Sequence, residues 1–392
     1  MTDAYIVSAL RTAGGRRGGR LSGWHPVDLA GTLIDGLVAK SGAAPDAVDD
    51  VILGCVGQVG EQAVNVARNA VLASSLPESV PGTSVDRQCG SSQQALHFAA
   101  QAVMSGSMDV VIAGGVESMT RVPMGSPLTL AKKADMGIYM SHAIRERYPH
   151  TELFSQFDGA EMVAEKYGIA RAALDEFALE SHQRAIRATQ TGAFDNEILP
   201  VTVLDPDSGE EISHTVDEGI RFDATLDSIA SVKLLVENGR ISAATASQIC
   251  DGASGVMVVS EAGLKRLGVE PLARIHHMSV MGHDPVIMLE APMPATQRAL
   301  DRAGMNIDDI DLFEVNEAFA PIPLAWLQST RADPERLNVN GGAIALGHPL
   351  GASGTKLMTT LVHALKARGG RYGLQTMCEG GGMANVTIIE RL

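Results

Sequence analysis

Cysteine is scarce in this chain, and the few there are stand far apart. Four, at positions 55, 89, 250 and 378 of 392 residues, form no CxxC pair and no Cys/His cluster at zinc-like spacing, which argues against a structural metal. Positive charge is also in deficit. With 31 Lys and Arg against 46 Asp and Glu, the formal charge of −15 disfavours non-specific binding to nucleic acid or to an anionic membrane, since both need a cationic face. No apolar run is long enough to span a bilayer. The opening "MTDAYIVSALRTAGG" reads as a strand and a turn, without the charged start, apolar stretch and cleavage site of a signal peptide. The expectation is a cytoplasmic protein with reduced thiols. Aromatic residues are only 4%, whereas glycine is plentiful at 41 residues, a balance that suits tight strand-to-helix turns in an α/β protein.

The length exceeds what one compact core usually holds, so two domains or one duplicated unit is expected. Two distant segments share a plan. "TSVDRQCGSSQQALHFAAQAVMSGSMDVVIAGG" gives a strand, a turn, a helix with Leu96, Ala99, Ala100 and Val103 at helical spacing, then a buried strand. "GGAIALGHPLGASGTKLMTTLVHALKARGGRYGLQTMCEGGGMANVTIIE" repeats it, with Met358, Leu361, Val362 and Leu365 on one helix face. Between the halves, roughly residues 119 to 250 mix Pro, Gly, Met and charge, include the acidic "LDPDSGEEISHTVDEG", and hold one helix-rich interlude. Such a stretch reads as an inserted cap.

Cys89, in "SVDRQCGSSQQAL", precedes a helix whose first N–H groups should favour its thiolate; a buried inert thiol is the competing interpretation. His348 lies among glycines and a proline in "GGAIALGHPLGASG", where packing explains a histidine poorly. Cys378 ends a strand and meets three glycines in "CEGGG", whose N–H groups could face an oxyanion or merely form a bulge. Asn316, in "LFEVNEAF", stands where an amide could orient water or cap a turn.

These four motifs in this order resemble those of the thiolases that act on 3-ketoacyl-CoA, and the resemblance runs from "IVSALRTAGG" to "NVTIIE". It implies a thiolase fold: α/β, a duplicated five-layered αβαβα core with an inserted loop domain. Residues 1–118 and 251–268 would form the N-terminal core domain, 119–250 the loop domain for coenzyme A and oligomer contacts, and 269–392 the C-terminal core domain. It implies Cys89 as nucleophile, His348 as its base and Cys378 as acid/base. Asn316 would hold a water that forms one oxyanion hole with His348, and the N–H groups of Cys89 and Gly380 would form the other. Arg221, Ser228, Ala243, Ser247, Ala318 and Phe319 match the family's CoA contacts, and Met288 is expected to line the pocket. The basic "RTAGGRRGGR" reads as a solvated loop. No permanently bound cofactor is expected; coenzyme A is a co-substrate, acyl-CoA the partner, and a homodimer or homotetramer the assembly.

The chemistry agrees. Cleaving C2 from C3 of a 3-ketoacyl thioester needs a soft nucleophile, donors for two oxyanions and an acid of thiol range. The main expectation is thiolysis in fatty-acid degradation. Condensation of two acetyl-CoA is the reverse alternative, and a non-catalytic acyl-CoA-binding protein of the same fold is a third, disfavoured because Cys89, His348 and Cys378 are all present. A decarboxylating ketosynthase would pair one Cys with two His. Four departures concern fit. "FSQFDGAE" replaces the usual His-Met-Gly motif, Glu379 stands where an apolar residue is common, and Ser92 and Ala384 take positions frequently glycine. A carboxylate at 379 should raise the Cys378 thiol's pKa.

Overall fold

The computed structural model describes residues 3–205 and 208–392. Residues 1–2, the start of the expected first core segment, and 206–207, within the acidic turn-rich stretch, lie outside the described residues. The first half runs β1 (Tyr5–Arg11), α1 (Pro26–Ser41), β2 (Asp50–Gly54), α2 (Val66–Leu72), β3 (Gly82–Val85), α3 (Ser91–Met104), β4 (Val110–Ser118) and β5 (Cys250–Val259). The second runs β6 (Ala273–Gly282), α4 (Pro292–Ala303), β7 (Leu312–Val315), α5 (Pro321–Thr330), α6 (Ser353–Arg368), β8 (Tyr372–Glu379) and β9 (Met383–Glu390). The order of types repeats, except that the counterpart of β3 shrinks to a parallel bridge between Leu337 and Phe313. The duplication expected from the sequence pattern is present.

The strands line up as β7-β8-β9-β6-β1-β5-β4-β2-β3. Within each half the pairing is parallel between the early strands and antiparallel at the last, as in β2 with β4 and β4 with β5. The halves join through β1 and β6 by only two partnered positions, Tyr5 with Arg274 and Ile6 with Ala273.

Three apolar clusters give the layers. Val7, Leu10, Val51 and Leu53 pack outward on α1 and α2, through Leu33, Leu37 and Val71. Ile6, Ile52, Val111 and Val256 face inward to α3 and α6, which also cover Leu312 and Ile389 of the second half. Phe313, Val315, Val386 and Ile388 pack outward on α4 and α5, through Ala299, Leu300 and Trp326. The sequence is therefore α, β, α, β, α. Helices on both faces explain why β4 is buried at all nine positions and reads as a continuous apolar run.

Being covered on both sides, α3 and α6 are buried nearly all round, including polar residues that would suit a surface helix. Several of those polar groups find partners across the layer, although Gln93 Oε1 and Thr359 Oγ1 have none among the described residues. Gln93 Nε2 donates to Thr387 Oγ1 at 2.8 Å, His97 Nε2 meets the same hydroxyl at 2.8 Å, and Gln375 Nε2 donates to the Gly354 carbonyl at 2.7 Å.

Leaving the sheet at Ser118 and returning at Cys250, the chain builds the helices Gln156–Lys166 and Arg171–Gln190, separated at Gly168 in the left-handed region, and a hairpin of Val201–Leu204 with Glu211–His214. Its apolar side, including Ala160, Val163 and Leu174, merges with the outer core of the second half. Fully buried Arg11 on β1 fastens it, with Nε 2.6 Å from Glu197 and Nη1 2.9 Å from Asp217.

Candidate active site

Cys89 closes a strained turn. Gln88 before it has φ +50°, unusual for a side-chain-bearing residue, and local hydrogen bonds hold it there. Asp86 Oδ1 accepts from the Gln88 N–H at 2.7 Å, while Ser91 Oγ accepts from the Arg87 N–H at 2.9 Å and donates to the Gln88 carbonyl at 2.6 Å. The turn delivers Cys89 to the residue before the Gly90 N-cap of α3, buried at the carboxyl ends of β2 and β3.

The loop carrying His348 comes from the other half and packs against the end of β2 and against β4. Glycine makes the space. A Cβ on Gly115 would lie 2.1 Å from the Gly351 carbonyl oxygen, and one on Gly54 would lie 2.4 Å from the Ser92 nitrogen and 2.5 Å from that same oxygen. Gly54 thus touches both the start of α3 and the histidine loop. Buried Glu117 on β4 pins the contact, accepting from the N–H groups of Val56, Gly57 and Gly351, each at 2.9 Å, and from Gln62 Nε2 at 2.8 Å. Ser92 has a plain use here. Its Oγ accepts from the Thr355 N–H at 3.0 Å, so the first turn of α3 caps the first turn of α6.

His348 Nδ1 is 2.5 Å from Ser353 Oγ, and Ser353 Oγ is 3.0 Å from the Pro349 carbonyl. That carbonyl can only accept, so the hydroxyl proton goes to it and Nδ1–H donates to Oγ. Nε2 is left with its lone pair, 3.4 Å from Asn316 Nδ2. Burial, followed by the positive charge of Lys356, lowers the His348 pKa to about 3 and keeps the ring neutral, as a base must be.

Sequence reasoning expected the helix start to lower the Cys89 pKa; the resting structure does the opposite. Burial first and Glu379 second push it up to about 12, against the N–H groups of Cys89 itself and of Gly380, which favour the thiolate. The helix terminus is outweighed because the sulfur has little water and a carboxyl close by. Cys378, at the end of β8 opposite Ala384, also lies well above the ordinary thiol range, through burial, then Cys89, then Glu379. Cys378 feels Cys89, so the two thiols reach one site, with Gly380 N–H directed at the Cys89 sulfur.

A cleft of about 480 Å³ leads to His348. Four of the expected CoA contacts, Arg221, Ala243, Ser247 and Phe319, line it, and Arg221, Ser228 and Ala243 line an adjoining hollow of about 360 Å³. Ser228 also serves a capping box with Thr225. Ala318 lies behind the wall, its carbonyl accepting from the Ser247 N–H at 2.9 Å. Met288 is buried with φ +49°, packed near Gly159 in the apolar cluster that also holds Phe319. In the stretch that replaces the His-Met-Gly motif, Gln156 and Phe157 line the cleft, and Phe157 packs edge-on against Phe319 at 5.6 Å. Arg16 and Arg17, read from sequence as a solvated loop, also line this cleft. Their signal was the basic cluster itself; what the sequence hid was the direction it faces.

A fold that duplicates one αβ unit and brings a cysteine of one half against a second cysteine of the other, beside a neutral imidazole, defines a thiol-dependent acyltransferase. The chain belongs to the thiolase family: the model for the thiolase N-terminal domain matches residues 4–262, and that for the thiolase C-terminal domain matches 269–391. It is 52% identical over 394 residues to the steroid 3-ketoacyl-CoA thiolase FadA6 of Mycobacterium tuberculosis, covering all of this chain and 95% of that protein. It is 42% identical over 409 residues to a 3-ketoacyl-CoA thiolase of Pectobacterium carotovorum, with both chains covered in full. Among solved structures, the Bacillus anthracis acetyl-CoA acetyltransferase superposes with a TM-score of 0.91 at 36% identity, covering 100% of this chain and 99% of that one. Among the described residues no helix is long and apolar enough to cross a membrane.

Proposed function

We propose that this protein cleaves 3-ketoacyl-CoA with coenzyme A, giving acetyl-CoA and an acyl-CoA shortened by two carbons. The observation that carries it is a Cys378 thiol that senses Cys89, whose own sulfur has two backbone N–H groups aimed at it. His348 Nε2 takes the Cys89 proton, and the thiolate adds to the C3 ketone. The oxyanion collapses, the C2–C3 bond breaks, and the electron pair leaves on C2 as an enolate that takes its proton from Cys378. The incoming CoA thiol returns a proton to Cys378, its sulfur attacks the thioester on Cys89, and the Cys89 sulfur leaves and takes back the proton held by His348. A Cys89 thiol with a pKa of about 12 needs that base, which is why His348 is kept neutral.

In this assignment Asn316 and His348 orient a water in one oxyanion hole, and the N–H groups of Cys89 and Gly380 make the other. The excursion between Ser118 and Cys250 is the CoA-holding module, with Arg221, Ser228, Ala243, Ser247, Ala318 and Phe319 as its contacts. Arg16 and Arg17 supply positive charge at the same cleft for the phosphates. A cytoplasmic homodimer or homotetramer completes the proposal. Thiolysis is preferred to acetyl-CoA condensation because the relatives at 42% and 52% identity carry the 3-ketoacyl-CoA thiolase name.

The test is thiolysis of acetoacetyl-CoA and of a medium-chain 3-ketoacyl-CoA by the purified protein, beside Cys89→Ala and Cys378→Ala. Wild-type turnover, falling at least about 10³-fold in each variant, is expected. Folded wild type that binds CoA but turns over neither substrate, with no acyl adduct on Cys89 by mass spectrometry, would leave only the binding-protein alternative.

A further inference from the structure

Glu379 is a carboxyl group with nowhere to put its charge. Its side chain is fully buried, and neither Oε1 nor Oε2 has a hydrogen-bond partner. It lies under the first turn of α3, so close that a Cβ on Gly90 would be 2.0 Å from Oε1. Gly90 is the residue after the nucleophile and Glu379 the residue after the second thiol. The carboxyl is close enough to both reactive thiols to act on each.

We propose that Glu379 is a positioning residue that works as a neutral acid: protonated, it lets Cys89 ionise to His348, and ionised, it blocks that step and so sets the upper pH limit of the reaction. This rests on the thiolase reading only for the identity of the reaction. The groups that face the carboxyl leave it few ways to hold a negative charge. Arg87, from the turn ahead of α3, favours ionisation from a distance but makes no ion pair with it, and its own Nε is buried without a partner. From β9 the Asn385 N–H favours the anion without reaching hydrogen-bond geometry, and Cys89 and Cys378, neutral where Glu379 titrates, offer it no compensating charge. Glu117 on β4 adds a weaker negative influence on Cys89. Burial dominates and lifts the Glu379 pKa to about 8. A raised carboxyl pKa means the folded protein holds this proton through neutral pH and loses it above that value, where the new charge opposes the thiolate.

The test alkylates Cys89 with iodoacetamide from pH 6 to 10, scored by mass spectrometry, in wild type and Glu379→Gln, a readout that needs no turnover. At pH 6.5 the rates should agree within about twofold; at pH 9.5 Cys89 of E379Q should react about tenfold faster, one pKa unit. In acetoacetyl-CoA thiolysis, kcat of the wild type should fall above pH 8 while that of E379Q keeps rising or levels off, with KM for CoA unchanged. Superimposable alkylation profiles in two folded proteins would overturn the proposal, whatever the turnover assay gives. If E379Q does not fold, Arg87→Met replaces it: loss of the one nearby cation should move the wild-type alkaline decline to higher pH, and an unmoved decline counts against the idea.

Discussion

Ser353 decides which nitrogen of His348 is free. Its hydroxyl is committed to the Pro349 carbonyl at 3.0 Å, which obliges Nδ1 to carry the ring's proton and leaves Nε2 bare towards Asn316. Replacing it with alanine removes that instruction but leaves the ring in place. Ser353→Ala should lower kcat about tenfold, with KM for CoA within about twofold and the melting temperature little changed. Steady-state kinetics beside a thermal melt would check it, and Ser353→Thr should recover part of the loss. The serine was not legible in the sequence, because within "GASG" it looks like any helix-starting residue. Cys89, His348 and Cys378 stood out for the opposite reason: each is a chemically distinctive side chain close to glycines, while Asn316 stood out as an amide after an apolar strand. Glu379 was visible as an oddity, but which sulfur it leans on depends on Gly90, contributed from the far half of the chain.

At the scale of elements, the meeting of α3 with α6 places the site. Two helix starts from different halves approach so closely that a Cβ on Gly354 would sit 2.2 Å from the Gln93 nitrogen, and the histidine loop fits only because β2 ends in Gly54 and β4 carries Gly115. The repeated strand, loop, helix, strand pattern could be read along the chain, since period and breaks are local. The closeness could not, because it is a property of two surfaces. Gly115→Ala puts a methyl group against backbone, which cannot yield as a flexible side chain can. It should cost about 1–3 kcal/mol and most of the activity. Gly23→Ala is the control: nothing lies within 4 Å of its Cβ. Urea midpoints of the two variants should separate clearly, and equal midpoints would mean that the histidine loop tolerates displacement.

On the scale of the whole molecule, the chain's excursion is fastened by charge as well as by apolar packing. Arg11 is fully buried between Glu197 and Asp217, and the three must stay together because any one left alone would be an unpaired ion in the interior. The sequence showed "LRTAGG" and the acidic stretches but gave no sign that they meet.

The middle layer belongs to both halves at once. Each half supplies one helix; α6 packs on the strands of both halves, while α3 lies mainly on its own sheet strands and reaches the second half through α6 and β9. Severed between 262 and 269, where the two family models part, the polypeptide yields two pieces that each expose one raw inner sheet face. Neither piece should be soluble alone, yet both made in one cell should find each other and regain thiolysis, a complementation assay scored by co-purification and turnover. An ancestor of half this length would, by the same geometry, have been obliged to pair with itself.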